Sequence, residues 1–262
     1  MNIIISGYGK MGTLIEARSL EKGWNVPAVI DPVYKNPKHG ENITPAGSRV
    51  YSSLNDIEFD TSACTALDFT HPDCVLKNIT QFASRKIPLV VGTTGWYDKL
   101  NDVKKIVTDA GACLLWAGNF SLGINLFYKL AEYAAAIFDK YDEYDCAGYE
   151  FHHNKKADSP SGTAKIIAQK VLEKTTRKNH AVYDKLDSPP APDEFHFASL
   201  RCGSIPGIHA LVFDSAADTI EIKHTARSRD ALVSGALFAA RYLADQAAAG
   251  KSGIWTFEDV LL

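Results

Sequence analysis

Apolar positions in the first half of the chain switch between two periods. Asn2 to Ser6 (NIIIS) is a continuous apolar run, the pattern of a strand buried on both faces. The run breaks at Gly7. Helical spacing then takes over from about Met11 to Lys22, and Gly23 stands where a helix C-terminus favours glycine. Val26 to Asp31 predicts a second strand, with Pro27 weakening its start. Ala66 to Phe69, Leu89 to Val91 and Ala112 to Trp116 predict three more. Between them lie two helical stretches: Pro72 to Arg85, with proline in its first turn, and Tyr97 to Ala110, closed by Gly111. Strand and helix alternating at these lengths predict an α/β unit with a Rossmann-type, doubly wound parallel sheet.

The second half has a different rhythm. It opens with an amphipathic helix from Leu122 to Tyr141, a strand from Cys146 to His153 and a helix from Ser161 to about Lys174. Thr175 to Glu194 is polar, carries Pro189, Pro190 and Pro192, and predicts a long loop. Three strand patterns follow without long helices between them: Phe197 to Cys202, His209 to Asp214 and Thr219 to His224. They predict a smaller α+β domain with an open sheet, mixed or antiparallel. An alanine-rich helix, Ala231 to Gln246, and a tail ending in Val260-Leu261-Leu262 are expected to return to the first unit. The division is therefore 1–121 with 229–262, and 122–228.

Composition excludes some classes of function. The 262 residues are 46% hydrophobic and 23% charged, and the net charge of −3 gives no reason to expect nucleic acid or an anionic membrane as partner. No apolar run approaches the ~18 residues of a membrane span. Met1 to Ser6 run straight into a strand, so we expect no export leader and a cytoplasmic protein. The five cysteines (Cys64, Cys74, Cys113, Cys146, Cys202) are odd in number, scattered and never in a CxxC pair. Reduced, buried thiols are expected, with neither a zinc site nor a disulfide framework.

Chemistry enters at the strand ends. Gly7-Tyr8-Gly9-Lys10-Met11-Gly12 is a GxGxxG between a strand and a helix. Its glycines permit a tight turn and a close backbone approach to a pyrophosphate, which the helix N-terminus would then attract. Asp31 closes the next strand, where an acid accepts hydrogen bonds from ribose hydroxyls. An acid there favours NADH, whereas Lys35 and Lys38 just beyond would attract the 2′-phosphate of NADPH. The sequence leaves that choice open. Gly92, Thr93 and Thr94 follow a later strand, and Ala117, Gly118, Asn119 and Phe120 follow the next. In an open parallel sheet, ligands lie beyond such strand ends.

The densest chemistry runs from Glu150 to Thr163 (EFHHNKKADSPSGT), off a strand and into a helix. His152 and His153 are adjacent, so on a strand they face opposite ways and do not readily chelate one metal; no metal is expected. As separate imidazoles they suit proton handling near neutral pH. Ser161 suits an N-cap, and the amides of Gly162 and Thr163 at the helix start suit an anion, with the Lys156 ammonium beside it.

The run His152-His153-x-x-Lys156-x-Asp158-x-Pro160-Ser161-Gly162-Thr163 resembles the signature of bacterial 4-hydroxy-tetrahydrodipicolinate reductases. The resemblance extends through Gly7–Gly12, Asp68-Phe69-Thr70-x-Pro72, Gly92–Gly95 and Asn119-Phe120-Ser121-x-Gly123-x-Asn125. It continues in Arg201-x-Gly203, Gly207-x-His209, Glu221-Ile222-x-His224-x-Ala226-x-x-Arg229 and Glu258-Asp259-Val260-Leu261, covering nearly the whole chain. It implies a dinucleotide-binding domain (1–121 and 229–262) and a substrate-binding and oligomerisation domain (122–228), usually in a homotetramer. It further implies NADH or NADPH as cofactor and a small dicarboxylate as substrate. His152 would be the acid/base group and Lys156 the proton donor. His153, Lys156, Gly162 and Thr163 would bind substrate. The glycine loop, Asp31, Gly92, Thr93, Thr94, Ala117, Gly118, Asn119 and Phe120 would hold the cofactor. Another reductase of similar build, or a sensor that binds the nucleotide without turnover, shares the glycine loop. Neither accounts for the run from Lys156 to Thr163.

Overall fold

Three consecutive isoleucines can all be buried only if both faces of their strand are covered. The computed structural model describes residues 1–34, 42–183 and 185–261. In it Ile3, Ile4 and Ile5 are all fully buried. Ile3 and Ile5 enter one apolar cluster and Ile4 the other, as the two-residue period of a strand requires. Each such side chain contributes about 1.5–3 kcal/mol by leaving water.

The chain divides into two compact units, Met1–Ser121 with Asp230–Leu262, and Leu122–Arg229. The first unit is a seven-stranded sheet in the order β12-β6-β5-β4-β1-β2-β3. Its strands are β1 (Asn2–Ser6), β2 (Asn25–Ile30), β3 (Val50–Tyr51), β4 (Cys64–Asp68), β5 (Leu89–Val91), β6 (Cys113–Trp116) and β12 (Gly253–Thr256). Every pairing in it is parallel. Helices α1 (Lys10–Glu21) and α6 (Asp230–Ala248) supply Ile15, Val233, Ala236, Leu237 and Ala240 to the cluster holding Ile3 and Ile5. Helices α2 (Pro72–Ser84) and α3 (Leu100–Ala110) supply Val75, Ile79, Phe82, Val103 and Val107 to the cluster holding Ile4. The sheet is doubly wound. Strand order reverses between β1 and β4, and a crevice opens at their carboxyl ends.

Local departures from the sequence pattern have physical causes. Pro27 is tolerated in β2 because the β1–β2 register slips there: Asn2 pairs with Asn25 and Ile4 with Ala28. Residues 97–110 form a 3₁₀ turn, Tyr97–Lys99, followed by α3, rather than one helix. Two short edge strands, β3 and β12, had too few residues to announce a period.

The second unit is a five-stranded mixed sheet in the order β11-β10-β7-β9-β8, with β7 (Asp145–His152), β8 (His180–Tyr183), β9 (Glu194–Arg201), β10 (Ile208–Asp214) and β11 (Thr219–Thr225). Pairs β7–β9 and β8–β9 are parallel; β7–β10 and β10–β11 are antiparallel. The stretch expected as one long loop thus contains an edge strand, β8. Helices α4 (Leu122–Phe138) and α5 (Gly162–Leu172) cover one sheet face with Phe127, Ala131, Ile167 and Val171, packed on Phe195, Phe197, Leu211 and Phe213.

Candidate active site

The three loop glycines are required for three different reasons. Gly7 has φ of +88°, and a Cβ on it would stand 2.5 Å from the Phe69 carbonyl oxygen. A Cβ on Gly12 would stand 2.2 Å from the Gly7 carbonyl oxygen, so the third glycine lets α1 pack against the loop. A Cβ on Gly9 would meet nothing within 4 Å, which leaves the backbone open there. Turn, open approach and close packing are the three requirements of a dinucleotide loop, and the residues fit one. The first-turn amides of α1, at Lys10, Met11 and Gly12, have no preceding helical carbonyl and suit a phosphate.

Tyr8 is used differently. Its backbone N–H donates to Asp31 Oδ2 at 2.8 Å, its ring is buried, and its hydroxyl donates to buried Glu16. The Thr44 hydroxyl donates to the other Glu16 oxygen at 2.5 Å. Burial, then the Glu16 carboxylate, raises the Tyr8 phenol above its ordinary range. Asp31 Oδ1 accepts the Val33 and Tyr34 amides, both at 3.0 Å, so its carboxylate is held still at the end of β2. A cleft of about 470 Å³ opens there, lined by Gly7, Gly9, Asp31, Ser53, Thr70 and Lys77 among others. Lys35 and Lys38 lie outside the described residues.

Beyond β4 and β5 the organising group is Asp68, which is fully buried. It accepts from the hydroxyls of Ser6 (3.0 Å), Thr70 (2.8 Å) and Thr93 (2.7 Å) and from Asn78 Nδ2 (2.7 Å). The Thr93 oxygen in turn accepts the Thr70 amide at 2.8 Å. Thr93 is therefore spent on the fold, and exposed Thr94 presents the hydroxyl of this loop to solvent. Gly92 must be glycine, since a Cβ would stand 2.1 Å from the Phe69 ring. After β6, Ala117 is buried and Gly118 lies under the Tyr97 hydroxyl. Asn119 Oδ1 accepts the Ser121 amide at 2.8 Å. The Phe120 ring is core, 5.2 Å from that of Phe257. Sequence reasoning quoted Asp68 without giving it this role; an acid ending an apolar strand was the available signal.

In the second unit β7 ends at His152, and the turn after it is anchored to the residues that follow β9. The Cys202 amide donates to the His152 carbonyl at 2.8 Å and the Asn154 amide to the Gly203 carbonyl at 3.2 Å. The Lys156 amide donates to the His153 carbonyl at 3.1 Å, and the Lys156 ammonium to Asp158 Oδ1 at 2.7 Å. That ammonium holds the Asp158 carboxyl below its ordinary range. Ser161 caps α5, its hydroxyl oxygen accepting the Ala164 amide at 3.0 Å. Exposed Gly162, with nothing within 4 Å of an added Cβ, and Thr163 open the helix. Imidazole, ammonium and helix N-terminus are all favourable to an anion.

Beneath this turn lie two residues to which sequence reasoning gave no role. Glu150 is fully buried two residues before His152 on the same strand face, and His209 is its register partner on β10. Glu150 Oε2 lies 3.2 Å from His209 Nε2 and 3.4 Å from His152 Nδ1. Burial works to raise the Glu150 pKa, but hydrogen bonds from His209, Ser161 and Ser199 overcome it and hold the carboxyl well below its ordinary range. Burial, aided by the charges of His209, Lys156 and Arg201 and opposed by Glu150, pulls the His152 imidazole down to about 4. Glu150, His152 and His209 have the residue types of a metal site, with ligand atoms within 4.8 Å of one another. The Glu150 carboxylate already accepts from Ser161 and Ser199 and lies 3.5 Å from Arg201 Nη1.

A doubly wound unit with a dinucleotide loop, joined in one chain to an α+β unit whose imidazole–ammonium turn leads into a helix start, has the organisation of a nicotinamide-nucleotide oxidoreductase. The match to known proteins is more specific. The dihydrodipicolinate reductase N-terminal model matches residues 1–120 and its C-terminal model residues 123–261. The chain belongs to the dihydrodipicolinate reductase family. It is 36% identical over 261 residues to the 4-hydroxy-tetrahydrodipicolinate reductase of Christiangramia forsetii, covering 100% of this chain and 98% of that one. It is 32% identical to the enzyme of that name from Chromobacterium violaceum, over 99% and 97% of the two chains. The dipicolinate-bound dihydrodipicolinate reductase of Paenisporosarcina sp. TG-14 shares the fold, with a TM-score of 0.77 at 22% identity over 99% of both chains.

Proposed function

We infer that this chain reduces 4-hydroxy-tetrahydrodipicolinate to tetrahydrodipicolinate with NADH or NADPH, a step of lysine and diaminopimelate synthesis. The observation that carries this reading is the His152–His153–Lys156 turn leading into the open start of α5, in a chain that matches the reductase family from end to end. The glycine loop and Asp31, with Gly92 to Thr94 and Ala117 to Phe120, hold the nucleotide in the dinucleotide-binding domain. His153, Lys156, Gly162 and Thr163 hold a substrate carboxylate in the substrate-binding domain.

The hydride for C4 of the dehydrated ring would come from a reduced nicotinamide held by the glycine loop and the strand-end residues. The chain itself must supply a proton to the ring carbon beside C4 and a grip on two carboxylates. The Lys156 ammonium is the proton donor and His152 the acid/base group. His152 is neutral in the free protein because burial disfavours its charge. A dianionic substrate beside it favours the imidazolium, so binding itself prepares the imidazole for proton transfer. Fixing the substrate between ammonium and helix amides serves orientation as much as affinity.

No helix among the described residues is long and apolar enough to cross a membrane. We place the enzyme in the cytoplasm, as a homotetramer. The five-stranded sheet supports assembly: its face away from α4 and α5 carries Tyr149, Phe151, Val212 and half-exposed Leu200, apolar area of the kind that oligomers cover. Sedimentation should then give a mass near four times the chain's 28.7 kDa.

The direct test is initial rates with each nucleotide, using substrate made freshly from pyruvate and aspartate semialdehyde. Lys156→Ala should raise KM and cut kcat together while nucleotide titration is unchanged. Wild-type turnover in that variant would refute the assignment.

A further inference from the structure

A carboxylate without access to solvent is costly by several kcal/mol unless donors surround it. Around Glu150 they converge from three other elements. On its own strand β7, His152 Nδ1 faces the carboxylate at 3.4 Å without completing a hydrogen bond. From the start of α5, Ser161 gives its amide at 2.9 Å and its hydroxyl. From β9 come the Ser199 hydroxyl at 3.0 Å and Arg201 Nη1 at 3.5 Å, and from β10 His209 Nε2 at 3.2 Å. The next strand, β11, places His224 opposite His209. Arg201 reaches both ways: its Nη2 donates to the Asp158 carbonyl at 2.5 Å, and Asp158 holds Lys156.

Stability alone does not call for such a group, because an apolar residue in a closed core would fill the position without its desolvation cost. A buried carboxylate set against an imidazole nitrogen is instead the arrangement that fixes a ring's tautomer and direction. Gly207 fits the same purpose: a Cβ there would stand 3.2 Å from His152 Nε2, so glycine leaves that nitrogen uncrowded.

We propose that Glu150 is the positioning residue of this site, turning the His152 ring so that Nδ1–H faces the carboxylate and Nε2 stays open, while holding the start of α5 beside that ring. The proposal rests on the assignment of His152 as the acid/base group. Glu150 itself touches no substrate. It sets the proton inventory of the imidazole and keeps ring and anion-binding turn at a fixed spacing.

The test is Glu150→Gln in the full chain, read by steady-state kinetics against pH and by nitrogen-15 NMR of histidine, the His152 signal being assigned with His152→Asn. Removing an orienting group of this kind costs about 10–100-fold, so kcat should fall by that much while nucleotide titration is unchanged. Glu150 opposes the lowering of the His152 pKa, so the limb of the pH profile that follows His152 should move to lower pH. In the wild type His152 should carry its proton on Nδ1, and the variant should lose that preference. Turnover within about 3-fold of wild type, well short of that scale, overturns the proposal. So does a loss that comes only from less folded protein, with pH limb and tautomer unmoved. If Glu150→Gln does not fold, the wild-type spectrum decides alone: a proton on Nε2 of His152 overturns the assignment. A wild-type chain with no turnover of the imine dicarboxylate sinks the functional reading, while the tautomer still judges Glu150.

Discussion

Asp68 accepts the Thr93 hydroxyl at 2.7 Å in a site closed to solvent, and so ties the end of β4 to the loop after β5. The same carboxylate gathers Ser6 from β1 and Asn78 from α2. One charge therefore holds three strand ends and a helix around the crevice where strand order reverses. The loops that edge this crevice are thus held by one buried carboxylate as well as by the glycine turn.

Thr93→Val keeps the shape of the side chain and removes the hydroxyl. A hydrogen bond to a charged acceptor contributes about 1.5–3 kcal/mol, and the Thr70 amide also loses the shorter of its two acceptors, keeping Asp68 Oδ1 at 3.3 Å. Urea unfolding should show that loss as a lower midpoint at unchanged slope. Nucleotide affinity should fall about 10-fold as the loop loosens, since 1.4 kcal/mol is tenfold in Kd. Thr94→Val, at an exposed position, should stay within about 0.5 kcal/mol of the parent in stability. Equal effects from the two substitutions would contradict the arrangement.

Gly9 and Gly12 separate binding from folding. At Gly12 an alanine Cβ would press on the Gly7 carbonyl at 2.2 Å, and backbone shifts of that kind cost about 1–3 kcal/mol. Gly9→Ala meets open space at a φ of −83°, so its thermal midpoint should hardly change. The added methyl does stand where a pyrophosphate would approach the backbone. Gly9→Ala should therefore weaken nucleotide binding by about 10-fold or more at full stability, equivalent to at least 1.4 kcal/mol. Gly12→Ala should lose both. Undiminished nucleotide affinity in Gly9→Ala would place the phosphates elsewhere.

The legible parts of the sequence were those with a period or a motif. Ile3 to Ile5 announced a strand buried on both faces, and Gly7 to Gly12 announced the turn after it. The edge strand His180–Tyr183 was hidden because half-buried residues among prolines and polar neighbours carry no clear alternation. Glu150 was hidden for another reason. Its partners Ser161, Ser199, Arg201 and His209 come from three other elements, brought together by the β7–β9 and β7–β10 registers and by the packing of the α5 start on β7. Residues 150 and 152 sharing a strand face was the one local clue.

Acid should destabilise this fold earlier than carboxylate titration alone would. In the unfolded chain His152 takes up a proton near its ordinary 6.5, whereas in the folded chain burial delays this to about 4. Between those values the unfolded state binds more protons, so stability falls as pH falls through that window, by on the order of 3 kcal/mol. His224, also lowered by burial, acts in the same direction. Glu150, held below its ordinary 4.5, adds its loss at still lower pH. Denaturant midpoints between pH 7.5 and 4 should therefore decline in the parent and decline less in His152→Asn. Parallel curves for the two proteins would show that His152 is not buried as a neutral imidazole.

Asp158 already holds the ammonium that the proposed substrate grip would use. Its carboxylate holds Lys156 at 2.7 Å, and with more than half of the Asp158 side chain exposed the pair adds little to stability. Under the proposed reading, a dicarboxylate at the start of α5 would share Lys156 with this anion and approach against its charge. Asp158→Asn removes the competing charge and leaves in place the Asp158 main-chain carbonyl that anchors Arg201. Calorimetric titration with pyridine-2,6-dicarboxylate, the planar dianion named with the Paenisporosarcina relative, should therefore show tighter binding in Asp158→Asn, by about 3- to 10-fold. The gain should shrink as salt is raised, because the repulsion removed is screened. Weaker binding in the variant would mean that Asp158 holds Lys156 in place for the ligand, and that the two carboxylates do not compete.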